Sequence, residues 1–99
     1  MIPTKIRLLE KEYIIYEQEI INENPLQVGE LQEHQDCILI SSLQSNENKK
    51  ITLLHELVHT LFIQTGHSEY DNDEDLIDCI ALGMYSLIKN NDLEFIKEK

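Results

Sequence analysis

The stretch Cys37-Ile38-Leu39-Ile40-Ser41-Ser42-Leu43-Gln44-Ser45-Asn46-Glu47-Asn48-Lys49-Lys50-Ile51 contains the change of period that decides the fold. Its first four residues are apolar and partly β-branched, the composition of a strand. Ser41-Ser42 ends that run, and Ser45 is placed to cap a helix. Glu47 then falls in the first turn, where the positive end of the helix dipole favours an acid. Ile51, Leu54, Val58, Leu61 and Phe62 recur at helical spacing until Gly66 supplies a stop.

Upstream of this junction the chain reads as sheet. Ile6 to Leu9 and Tyr13 to Tyr16 flank Glu10-Lys11-Glu12 as a short hairpin. Asn22-Glu23-Asn24-Pro25 is turn-forming material, and Val28 to Leu31 is a further strand joined to Cys37–Ile40 through the polar Glu33 to Asp36. Downstream, Gly66 to Asn72 is a polar loop. Asp71 or Asn72 can cap a second helix whose first turn holds Asp73, Glu74 and Asp75. Its buried stripe is expected at Leu76 or Ile77, Ile80, Met84 and Leu87 with Ile88. Leu93, Phe95 and Ile96 are expected to form a short last helix packed on the core. Strands first and helices later predict an α+β domain over residues 1–99, with a small antiparallel sheet of three to four strands ahead of the helices.

Ninety-nine residues and 11.6 kDa support one core. Eight Lys and Arg against nineteen Asp and Glu give a net charge of −11. A surface of that sign repels phosphate backbones and anionic lipid, which argues against direct nucleic-acid or membrane binding. No apolar run approaches the roughly 20 residues of a membrane helix, and no secretory signal opens the chain, so a cytoplasmic protein is the expectation. Cys37 and Cys79 belong to no C-x-x-C pair and read as reduced, partly buried residues.

The chemistry concentrates in His55-Glu56-Leu57-Val58-His59. Histidines four apart share one face of a helix and can reach a single ion, while Glu56 sits about 100° round the axis, where it can act on water without being a ligand. Leu53, Leu54, Leu57, Val58, Leu61 and Phe62 surround the pair, and histidines in such a setting need polar partners. A catalytic Zn²⁺ wants three protein ligands and an open position. Phe62 and Thr65 stand where a longer H-E-x-x-H-x-x-G-x-x-H pattern would need Gly and His, so the third ligand must come from elsewhere. Glu74, in the first turn of the second helix, is the candidate. Asp78 lies four residues on and can accept a hydrogen bond from the far nitrogen of a liganded histidine. Tyr85, His67 and Tyr70 are candidates for the donor to a developing oxyanion.

His55-Glu56-Leu57-Val58-His59 followed by Glu74-x-x-Ile77-x-x-Ile80-Ala81 resembles the ImmA/IrrE-type zinc metallopeptidases, above all their short phage and prophage versions. Glu74 with Asp78 is also similar to the Glu-x-x-x-Asp arrangement of the gluzincin class. The likeness runs over about Cys37 to Asn91. It implies zinc on His55, His59 and Glu74, Glu56 as general base, and cleavage of a protein substrate such as a helix-turn-helix repressor in a bacterial or phage setting. A substrate strand would pair along a sheet edge near Cys37 to Ser41. Two other readings stay open from the residues: a catalytically silent protein-binding module, with zinc structural or absent, and an acidic decoy for a nucleic-acid-binding protein.

Overall fold

A computed structural model describes residues 2–98. Four strands come first: β1 Lys5–Leu8, β2 Lys11–Gln18, β3 Gly29–Gln32 and β4 Cys37–Ser41. Two helices follow, α1 Asn46–Gln64 and α2 Glu74–Asn90, with single 3-10 turns at Glu33–Gln35, Ser68–Tyr70 and Glu94–Ile96. The α+β class is as the sequence implies.

The strand order is β1-β2-β4-β3. β1 with β2 and β3 with β4 are antiparallel, but β2 and β4 run parallel, so the sheet is mixed and not the antiparallel one expected. The chain leaves β2, crosses through the Ile21 to Gln27 turns, descends as β3 on the outside and returns as β4 between the two. The interior position suits β4 because it is apolar toward both faces. Ile38 and Ile40 pack with Tyr13, Ile15, Leu53 and Leu57 under α1, while Cys37 and Leu39 pack with the fully buried Ile21 on the other side.

Ser45 caps α1 by accepting from the Asn48 N–H, and Gly66 ends it at φ 78°, the left-handed region glycine tolerates best. Gln64 ties the far end of α1 to the hairpin by donating to the Leu8 carbonyl and the Tyr13 hydroxyl. α1 therefore lies across the sheet with its last turn at the β1–β2 turn. α2 starts beside the middle of α1 and runs back toward its beginning, where Lys89 lies 3.8 Å from Glu47.

Three expectations are corrected. Asp73 caps α2, accepting from the Leu76 N–H, while Asp71 is turned to another use described below. Ile77 and Ala81 are the buried residues of α2, with Ile80 and Met84 partly buried, but Leu87 and Ile88 are exposed. Phe95 and Ile96 form a 3-10 turn about two-thirds exposed and do not pack on the core (65% and 67%). Among the described residues no layer covers that side of α2. Cys37 is buried and Cys79 exposed, and both are free thiols. No described helix is long and apolar enough to cross a membrane.

Candidate metal centre

The side of α1 turned away from the sheet core presents His55 and His59 toward the first turn of α2. Because Asp73 caps that helix, Glu74 is its first residue and its carboxylate reaches both imidazoles. His55 Nε2 lies 3.0 Å from Glu74 Oε2, His59 Nε2 lies 3.3 Å from Glu74 Oε1, and the two Nε2 atoms are 3.3 Å apart. An ion held tetrahedrally by bonds of about 2.0–2.1 Å needs ligand atoms roughly 3.3–3.4 Å from one another. His55, His59 and Glu74 could therefore hold a metal ion.

The second nitrogens strengthen the fit. His55 Nδ1 is 2.7 Å from Asp78 Oδ1, the acceptor anticipated for one of the two histidines, and His59 Nδ1 is 2.7 Å from Asp71 Oδ1. Each aspartate accepts the Nδ1 proton and so assigns the tautomer that leaves Nε2 as a lone pair. With both imidazoles neutral, two lone pairs and one carboxylate then converge. A cation satisfies that set.

Asp71 was not legible as a partner, since from the sequence it competed with Asn72 for the capping role. The available signal was symmetry of need: His59, somewhat more buried than His55, required a carboxylate of its own. Gly29 was missed as well. A Cβ there would come within 2.7 Å of Thr52 Cγ2 and 3.2 Å of Glu56 Oε2, so its bareness lets α1 approach β3 closely enough to put Glu56 against the strand.

Glu56 is buried, 8% exposed, and has no side-chain partner among the described residues. Burial pushes its carboxyl above the ordinary value; His55 and His59 pull it down, Glu74 pushes it up, and the backbone of Leu31 pulls it down. Burial works against the charged form of His59, but the hydrogen bond to Asp71 and the charges of Glu56 and Glu74 outweigh it and hold His59 above its usual range.

These residues line one cleft of about 600 Å³ between β3 and the two helices. The open edge of the sheet on this side is β3, not β4 as expected, because β4 is flanked by β2 and β3. The Ser41 N–H donates to the Val28 carbonyl, and bonded pairs alternate in an antiparallel ladder. The backbone groups of Gly29 and Leu31 therefore point away from β4 into the cleft, where the Gln27 side chain donates to the Gly29 carbonyl.

None of the three anticipated oxyanion donors lines this cleft. Tyr85 faces a separate apolar groove with Ile2, Leu53 and Leu54 and lies under the Lys89 ammonium. His67 sits 3.6 Å from Glu69 in the loop, and the Tyr70 ring packs on Phe62. Compared with known proteins, the chain matches no family model, no curated protein and no solved structure. The resemblance to ImmA/IrrE-type metallopeptidases thus rests on the motif residues alone.

Proposed function

We propose that this protein is a zinc-dependent metallopeptidase that hydrolyses a peptide bond in a protein substrate. The observation that carries the reading is the convergence of His55 Nε2, His59 Nε2 and the Glu74 carboxylate, each imidazole backed by an aspartate, beside a buried glutamate with no side-chain partner among the described residues. His55, His59 and Glu74 would hold the ion. Zinc, when bound, supplies a Lewis acid that polarises a carbonyl and makes water nucleophilic near neutral pH.

The rest is done by the chain. An extended substrate pairs with the outward Gly29 N–H and Leu31 carbonyl, since Gln27 holds the Gly29 carbonyl and Glu56 the Leu31 N–H. Glu56 takes one proton from the attacking water and passes it to the departing amine as the C–N bond breaks. Its raised pKa suits a base that must also give the proton back. Asp71 and Asp78 hold the imidazoles in the liganding tautomer. A helix-turn-helix regulator as substrate belongs to this reading through the family resemblance alone, and a cytoplasmic setting through the sequence expectation alone.

A second reading, a silent gluzincin-like module that binds a partner without cutting it, is favoured by one observation: no Tyr, Arg or Lys among the described residues lines the cleft to stabilise an oxyanion. Elemental analysis and proteolysis separate the two. The peptidase reading expects about one zinc per chain, lost in His59→Ala, and cleavage that Glu56→Gln lowers by roughly 10²-fold or more while zinc stays bound. Zinc with no cleavage of any protein tried, and unchanged partner binding by Glu56→Gln, would favour the silent module.

A further inference from the structure

The cleft has a chemical direction. Thr52 stands over Gly29 and Gln64 bonds to the hairpin end, so α1 and β3 run the same way along the two walls. At the Gly29 end the walls carry Leu26 and Val28, 87% and 50% exposed, with Ile51 across from them. Glu56 and the histidines hold the middle. At the far end stands Glu33, the first residue after β3, exposed and in no ion pair among the described residues.

The charge along this path is one-sided. Glu30, Glu33, Glu56, Asp71, Glu74 and Asp78 line the cleft, and no Lys or Arg does. A divalent ion offsets two of those six charges. Asp71, Asp78 and Glu74 are spent on the imidazoles and the ion, and Glu30 is engaged by Asn22 and Gln27. Glu56 is buried, and the amides on Glu30 are neutral and occupy its carboxylate without cancelling its charge, so Glu33 is the exposed carboxylate of the cleft with no side-chain partner among the described residues.

We propose that the cleft selects an extended peptide carrying a Lys or Arg side chain on the Glu33 side of the reacting bond and an aliphatic side chain on the Leu26–Val28 side. The inference names the substrate class of the peptidase reading and rests on it for the position of that bond. Acidic segments are turned away by the same field that draws basic ones in, and the exposed leucine and valine give an aliphatic side chain apolar surface to cover.

The test uses zinc-loaded Glu56→Gln protein and labelled peptides of one Ala-Leu-Val frame, with Lys, Gln or Glu placed at each position in turn. Binding is read by fluorescence anisotropy. Lys should bind about tenfold tighter than Glu at one or two adjacent positions, the attraction of one exposed pair taken together with the repulsion it replaces. Adding Glu33→Lys should reverse that order there, whereas Glu94→Lys, on the exposed C-terminal turn, should leave it intact. A preference spread evenly over all positions, absent altogether, or surviving Glu33→Lys overturns the inference. The same peptides offered to the wild-type protein keep the two ideas apart. Cleavage without a basic preference leaves the peptidase reading standing and removes this one; a site-specific basic preference without cleavage does the reverse.

Discussion

Helix α1 meets the rest of the molecule on two sides that are built from different chemistry. Toward the sheet, Leu53 and Leu57 close on Tyr13, Ile15, Ile38 and Ile40, all buried and all apolar apart from one hydroxyl. Toward α2, the fully enclosed contact is only Val58 with Ile77 and Ala81, and beside it lie two imidazoles and the carboxylates of Asp71, Glu74 and Asp78. The first side is held by removal of apolar surface from water and is indifferent to ions. The second sets like charges side by side and leaves a cation to reconcile them. One helix thus has a structural side and a conditional side.

The largest expected effect breaks the structural side. Ile38 has no exposed surface and sits in the interior strand, so Ile38→Ala should cost about 2–5 kcal/mol, a large share of a margin of roughly 5–15 kcal/mol. Denaturant titration should give the same loss with and without chelator. A loss that zinc largely restores would show that the two sides are not separable.

Next comes removal of the ion. With free zinc at 100 times its Kd, chelation should lower stability by about 2.7 kcal/mol. Amide exchange should quicken first over Glu74–Asn90, while β4 stays protected. Uniform quickening across β4 and α2 would mean that α2 is docked by Val58, Ile77 and Ala81 alone, and that the carboxylates add no conditional character.

The structural side was also the more legible one. Cys37-Ile38-Leu39-Ile40 declares a strand by composition, and the α1 period and its Ser45 cap are local facts of sequence. Strand order is not local: periodicity marks which residues are extended but does not say that β3 passes outside β4, which made one pairing parallel and moved the open edge to Gly29–Gln32. On the conditional side, the H-E-x-x-H spacing with Glu74 and Asp78 could be read because helix geometry fixes it. Asp71 could not, since its approach to His59 depends on how the Ser68–Tyr70 turn folds. Leu87 and Ile88 share the helical spacing of Ile77 and Ile80, yet spacing only offers a face and a neighbour must exist to cover it.

Gly29 joins the two sides, because it sets how closely Glu56 approaches the strand. Gly29→Ala should cost roughly 1–3 kcal/mol, since Thr52 Cγ2 would have to give way from 2.7 Å. Thr52→Ser removes that methyl and should recover part of the loss in the double variant. On the peptidase reading the single variant should also lower kcat more than zinc content. No recovery in the double variant would place the strain elsewhere.

The smallest effect is the most diagnostic of the comparison, because it changes sign with the ion. In metal-free protein Glu56 is held above its ordinary 4.5 by burial, and His59 above its ordinary 6.5 by Asp71 and the neighbouring carboxylates in spite of burial. Folding therefore favours the protonated form of both. Their contribution to stability is fully present below the unfolded values and is lost as pH rises through the raised folded ones. Chelated protein should melt progressively lower as pH rises, the Glu56 part of the loss beginning above 4.5 and the His59 part above 6.5, and Glu56→Gln should remove the part due to the carboxyl. Zinc-loaded protein should slope the other way over the His59 part, since protons compete with the ion for His59 and release it as the pH falls. Melting curves of both forms at matched ionic strength decide it. Parallel slopes would mean that no ion bears on the α2 side, and that the aspartates alone hold the two imidazoles where they stand.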